Sequence, residues 1–285
     1  MRILAATDFS TRSNRALRQA GLLAQADKAQ LHIVHVVDDD QPEELVVMER
    51  REAERLLNEQ IGSMPELQKF PAHPVVVKGD PFDGILRVAA QVSADLVVMG
   101  SHRKQLLDII VGTTIERVIR RGSFPVLMVN NEAQRKYDNV LAAVDMVAAS
   151  ADALQVATAT GLIRDCRTTL VHAFTPIAKG KLLISGADQA DIDSYVANER
   201  REVIDEAVAF LAPSLDRIAG RWSLRVEEGA AMEVISRAIS ELKPDLLVMG
   251  TNGRSGLLKV LIGSVTEEAL RSLSVDILVV SPAKK

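Results

Sequence analysis

DLLVMGTNGRSGLLKVLIGSVTEEAL, residues 245–270, has four apolar residues after Asp245, breaks at Met249-Gly250, and resumes after a glycine-rich stretch with helical spacing. DLVVMGSHRKQLLDIIVGTTIERVI, residues 95–119, repeats it with the same Met-Gly break. A short apolar run without polar alternation is what a strand of a parallel sheet requires, because helices cover both of its faces. Each stretch therefore reads strand, loop, helix.

Outward from these two stretches the duplication continues. RILAATD (2–8) returns as NVLAAVD (139–145), and FPVLMVN (124–130) is echoed by VDILVVS (275–281). Two copies of one unit, joined through NNEAQRKYD (130–138), account for every match, with domains at 1–135 and 136–285. The first copy offers strands RILAAT, QLHIVHVV, HPVVVKG, DLVVMG and FPVLMV, with helical segments at 11–26, 42–61, 81–94 and 112–122. The second offers VLAAVD, TTLVHAF, SLRVEEG, DLLVMG and DILVVS with four helices of its own. Such alternation predicts an α/β fold of two tandem domains, each an open parallel sheet flanked by helices. Asp8 and Gly100 lie 92 positions apart, Asp145 and Gly250 105 apart; the extra residues are expected in PIAKGKLLISGADQADIDS (176–194), as a surface loop.

Composition narrows the function classes. The chain has 285 residues, 47% of them hydrophobic, enough for a large core, and a formal net charge of −4 with no basic block, which disfavours a nucleic-acid partner. No run approaches the roughly 20 apolar residues of a membrane helix, and MRILAATDFS lacks the apolar stretch of a signal peptide, so no membrane partner and a cytoplasmic location are expected. The single cysteine, Cys166, excludes an internal disulfide and a cysteine-based metal cluster and fits a reducing compartment.

In an open α/β sheet, ligands bind beyond the carboxyl ends of the strands where strand order reverses. Asp8 and Asp145 close the first strands, Gly100 and Gly250 the fourth. In the second copy Gly250, Gly253 and Gly256 follow a strand, and Gly263-Ser264 opens a helix. Glycines let backbone N–H groups approach an anion, and a helix start adds unpaired donors, which suits a phosphate chain with Arg254 beside it. The same residues also fit a plain turn, with Ser264 and Glu267 forming a capping box that needs no ligand. Neither a Walker loop nor the dinucleotide G-x-G-x-x-G is present.

On these residues the chain resembles a tandem universal stress protein, two such domains fused. Gly250-x2-Gly253-x9-Gly263-Ser264 matches the ATP-binding signature of the nucleotide-binding branch of that family, Val265-Thr266-Glu267 fits too, and the likeness runs from first strand to last in both halves. The resemblance implies a five-stranded sheet of order 3-2-1-4-5 in each half, Asp145 and Gly250 facing one crevice, and a pseudo-dimer paired through the fifth strands. It implies further that Asp145 contacts the adenosine end of ATP and that the backbone at Ala173 reads adenine. The loop through Thr251, Gly253 and Arg254 and the helix start Gly263, Ser264 and Val265 would hold ribose and phosphates. ADP, AMP and a magnesium ion are options that the same resemblance carries.

If one residue is dropped opposite Gly253, Arg103 aligns with Arg254 and Gly112-Thr113 with Gly263-Ser264, while Gln105 replaces Gly256. Asp8, Gly100, Arg103, Gly112 and Thr113 thus mark a counterpart site whose phosphate loop is shortened. The first half is expected to bind a different small ligand or only to pack against the second. At the other end of the site the departure is reversed, since Ser10 of the first half has Val147 opposite it.

No nucleophile with an attendant base is recognisable, which favours a nucleotide-dependent regulator or adaptor with an unknown protein partner over an enzyme. A weak ATPase or self-phosphorylating protein is the alternative, with Ser264, Thr266 and Thr251 as the nearby hydroxyls. No metal site is expected: His32 and His35, three apart on a strand, point to opposite faces. His102 reads as a solvated loop residue and ERREAERLLNEQ as a solvated helix face. Pairing of whole chains into a homodimer stays open.

Overall fold

The computed structural model describes residues 1–101, 113–133, 135–215, 221–251 and 262–281. Its first half runs β1 (Arg2–Ala6), α1 (Thr11–Asp27), β2 (Gln30–Val37), α2 (Glu43–Ser63), α3 (Pro65–Gln68), β3 (Ala72–Lys78), α4 (Pro81–Gln91), β4 (Leu96–Gly100), α5 (Thr114–Arg121) and β5 (Val126–Val129). The second runs β6 (Asn139–Ala143), α6 (Ala148–Ala159), β7 (Arg167–Phe174), α7 (Lys179–Ile184), α8 (Gln189–Leu215), β8 (Trp222–Glu228), α9 (Ala231–Leu242), β9 (Leu246–Gly250), α10 (Ser264–Ser272) and β10 (Asp276–Val280).

The strands form one ten-stranded sheet, ordered β3-β2-β1-β4-β5-β10-β9-β6-β7-β8. Each half is parallel throughout and keeps the order 3-2-1-4-5, and the halves meet where β5 and β10 pair antiparallel. Leu127 stands opposite Leu278 there, its own counterpart at an offset of 151 in the repeat (278 − 127), with Met128 opposite Ile277 and Val126 opposite Val279. A residue facing its own repeat partner marks the pseudo-two-fold axis, which is how an isologous contact is built.

Both sheet faces are buried, which explains the apolar runs. Ile3 and Ala5 join one core with Leu31, Ile33, Leu96 and Val98, while Leu4 and Ala6 join the other with Val97 and Met99. The helices begin where side chains satisfy their first N–H groups: Ser10 accepts from Ser13 N ahead of α1, and Asp80 from Phe82 N ahead of α4. Pro81 at the first position of α4 suits a site whose N–H has no helical partner. α4 ends at Gln91, three residues before the span read from the sequence, because Ser93 turns into the left-handed region.

Two expectations are corrected. The extra residues at 176–194 do not form an open loop but fold as α7 and the first turns of α8. Tyr195 Oη of α8 accepts from Ala178 N, and Lys179 pairs with Glu228 at 2.7 Å, fixing α7 beside the carboxyl ends of β7 and β8. Each half also carries five helices among the described residues rather than four, the additions being the short α3 and α7.

The linker is docked on the second half. Asp276, buried at the start of β10, accepts from Asn130 N (2.8 Å), Asn131 N (3.0 Å) and Tyr137 Oη (2.8 Å). With Asn131 Nδ2 at 3.2 Å as a fourth donor, this carboxylate orders the crossing between the two repeats.

Candidate functional site

Each half opens a cleft between the carboxyl ends of its first and fourth strands, where strand order reverses. The second-half cleft encloses about 310 Å³ and is walled by Asp145, Ala173, Gly250, Gly263, Ser264 and Val265 together with Ser150 and Thr266. The first-half cleft encloses about 550 Å³ and is walled by Asp8, Gly100 and Thr113 together with Ser10, Arg12, His35, Thr114 and Arg117. Gly253, Arg254, Arg103, Gly112, His102 and Gln105 lie outside the described residues.

The strand-1 ends are built alike. Phe9 (φ 62°) and Met146 (φ 57°), each following the aspartate, sit in the left-handed region, which non-glycine residues occupy only where the surroundings hold them. That turn carries the chain straight from strand into helix and leaves the aspartate at the cleft. Beneath it, His35 Nδ1 lies 2.9 Å from Thr7 O and His172 Nδ1 2.7 Å from Val144 O, tying strand 2 to strand 1 in each half.

The two aspartates differ in what they already hold. Asp8 Oδ1 accepts from Ser10 N at 3.0 Å. Burial alone would raise its pKa, but bonds from the Ser10 and Ser13 hydroxyls and the Ser10 backbone more than offset this and hold the carboxyl below its ordinary value. In the second half Val147 replaces the serine, and Asp145 Oδ1 is buried with no hydrogen-bond partner among the described residues. Buried acceptors are rarely left unmatched, so this oxygen is free to accept from a donor that enters the cleft.

The helix starts differ in the same sense. In the first half Thr113 caps α5: its hydroxyl accepts from Glu116 N (3.2 Å) and its N–H donates to Glu116 Oε2 (3.0 Å), a closed capping box. The capping box expected from Ser264 and Glu267 does not form. Gly263 is the N-cap of α10 with no side-chain bond to it, Ser264 is exposed, and Glu267 turns to Arg271 at 2.7 Å. The first turn of α10 thus presents its N–H groups and the positive end of its dipole at the cleft.

Gly100 and Gly250 have a packing reason that the sequence did not disclose. A Cβ at Gly100 would lie 2.6 Å from Arg12 C and O, and one at Gly250 2.9 Å from Ala149 O. The first turn of α1 or α6 passes directly over the end of the fourth strand. Thr251 is buried and sits behind the cleft; its carbonyl accepts from Gly263 N and so sets where α10 begins. Thr266 Oγ1 donates to Gly250 O at 2.9 Å.

Sequence reading missed Arg12 and Arg117. Arg12 aligns with Ala149 at the offset of 137 that relates Asp8 to Asp145, so a comparison of the halves at that position would have found it. Arg117 packs over the Phe82 ring at 3.6 Å and pairs with Asp80 at 3.1 Å. Cys166 is buried, with its thiol pushed up to about 11, first by burial and then by Asp245, which removes it as a nucleophile near neutral pH. Among the described residues no three of His, Cys, Asp and Glu converge on a metal position, and no helix is long and apolar enough to cross a membrane.

The sequence pattern of the universal stress protein family matches residues 1–130 and again 136–281. A universal stress protein of Methanocaldococcus jannaschii is 25% identical over 154 residues, covering 46% of this chain and 95% of that one. Universal stress protein E of Salmonella typhi is 25% identical over 219 residues, 73% of this chain and 67% of that one. Among solved structures, a universal stress protein from Archaeoglobus fulgidus superposes with a TM-score of 0.71 at 19% identity, over 99% of this chain and 97% of that one.

Proposed function

Because the chain belongs to the universal stress protein family, twice over in one polypeptide, we propose that it is a stress-response protein whose second half binds ATP or a related adenine nucleotide. One pairing carries this reading: the uncapped start of α10 at Gly263-Ser264 shares a cleft with the buried, unmatched Oδ1 of Asp145. The helix start suits an anion and the carboxylate suits a hydroxyl donor, the two ends of a ribose phosphate. Asp145 would take the ribose, the backbone at Ala173 the adenine edge, and Gly250, Gly263, Ser264 and Val265 the phosphates, with Gly253 and Arg254 completing the loop. Thr251 supports that loop from behind. ADP, AMP and magnesium-bound ATP remain within the same chemistry.

Binding rather than turnover is favoured by the hydroxyls. Thr251 and Thr266 are buried, and Thr266 donates to Gly250 O, which leaves Ser264 as the exposed one. Among the described residues the one carboxylate of the cleft wall is Asp145, assigned above to the ribose. We read the chain as a cytoplasmic, nucleotide-dependent regulator acting on a protein partner.

Calorimetric titration with ATP tests the site, with Gly263→Trp and Gly253→Arg as variants. About one nucleotide per chain, lost in both variants, is the expected result; tight binding that survives both would overturn the reading. Chromatography of the nucleotide after long incubation addresses turnover, since conversion to ADP or label on Ser264 would establish an enzyme instead.

A further inference from the structure

The first-half cleft differs from its counterpart by a cation. Arg12 occupies the position that Ala149 holds in the second half, and it lines the first cleft. Gly100 pins it there: with no Cβ at Gly100, the Arg12 backbone lies against the end of β4, so its side chain starts from the strand-reversal point itself. Arg117, the other cation of the wall, is committed to Asp80 and to the Phe82 ring. Among the described residues Arg12 has no hydrogen bond or ion pair, whereas the acid facing it, Asp8, already accepts from Ser10 N. With Arg117 balanced by Asp80, and Asp8 already accepting from Ser10 N, Arg12 is the guanidinium of this wall left to meet an incoming anion.

At the helix start opposite, the Thr113–Glu116 capping box takes the N–H groups of Thr113 and Glu116, so a phosphate chain finds fewer free donors there than at α10. An anion entering this cleft is therefore met by the Arg12 side chain as well as by what remains of the helix start. The floor behind it is apolar, formed by Val34, Val36, Ile85, Met99 and Ile115. A volume of about 550 Å³ falls within the usual range for small-molecule sites. We propose that the first half holds a separate site for a small phosphate monoester with an apolar body, the Arg12 guanidinium taking the phosphate as a fork and the floor taking the body. This site is independent of nucleotide binding in the second half.

Phenyl phosphate is a suitable probe because it carries that head and body without a nucleoside. Calorimetry should give one equivalent bound per chain, weakened about tenfold or more by Arg12→Gln, less by Arg12→Lys, and unchanged by Gly263→Trp. Amide shifts in the wild-type chain provide a second readout that needs no variant, and they should centre on Ser10, Arg12 and Ser101. No binding by the wild type, equal binding by Arg12→Gln, loss in Gly263→Trp, or shifts confined to 145–151 and 263–266 would each overturn the proposal.

Discussion

Arg271 Nε of α10 lies 2.8 Å from Glu116 Oε1 of α5, and so joins the second half to a carboxylate that is only 1% exposed in the first. The pseudo-two-fold axis generates the mirror contact, Arg120 to Glu267 at 3.5 Å, because both pairs are related by the offset of 151. The two contacts are not equal. Glu116 also accepts from Thr113 N, so one carboxylate closes the helix start of the first cleft and grips the other half. Glu267 is freer and holds Arg271 within its own helix.

Removing Arg271 leaves Glu116 buried with its cap bond but without its cation. Arg271→Ala is expected to cost about 2 kcal/mol, less than the 3–5 typical of a fully buried pair because the Arg271 side chain is partly exposed. Arg120→Ala should cost under about 1 kcal/mol, the mirror pair being longer and more exposed. Denaturant unfolding of the two variants checks the order; equal costs would show that the asymmetry of the network has no energetic weight.

Leu127 and Leu278 face each other on the dyad, and both are fully buried. Cutting the chain at the linker uncovers an apolar edge strand on each half, a surface that pairs with whatever edge it meets. Fragments 1–135 and 136–285 expressed alone should associate with each other or self-associate in sedimentation. Stable monomers of both would show that the β5–β10 junction contributes little to folding.

Much of this was legible because the signals are local. The buried strands announced themselves as apolar runs, since Ile3 and Leu4 must feed opposite cores. The strand order and the pseudo-dimer came with the family resemblance, as periodicity carries no order. What stayed hidden depends on approach between distant segments. Nothing near Gly100 says that Arg12 crosses it, and nothing near Glu116 says that Arg271 reaches it. The capping box misled for a similar reason: Ser264 and Glu267 have the right spacing, yet Arg271 one turn on and the bond from Gly263 N to Thr251 O start the helix one residue earlier.

The clearance at the two Met-Gly breaks separates packing from ligand contact. Gly100→Ala places a methyl 2.6 Å from backbone atoms that cannot rotate away, and should destabilise the ligand-free protein by about 3 kcal/mol. Gly250→Ala meets Ala149 O at 2.9 Å and should cost about 1–2 kcal/mol. Thermal unfolding without ligand measures both. If neither variant is destabilised, the glycines serve the ligand alone.

Asp8 and Asp276 should make stability depend on pH with opposite signs. The folded pKa of Asp8 is lowered, so its contribution is present above the ordinary carboxylate value and is lost as pH falls through the folded one. For Asp276 burial dominates and raises the folded pKa, with the bonds from Asn130, Asn131 and Tyr137 offsetting it only in part. Its contribution is therefore present below the ordinary value and is lost as pH rises through the raised one. Relative to Asp8→Asn, the wild type should gain stability as pH rises through the region just below 3.8. Relative to Asp276→Asn, it should lose stability as pH rises above 3.8, because the amide keeps an acceptor for Asn130 N and Asn131 N without carrying a charge. Unfolding free energies measured from pH 3 to pH 7 (about 3 to about 7 brackets both carboxylates) give the two slopes, and slopes of the same sign would contradict the assignment of burial as the dominant influence at Asp276.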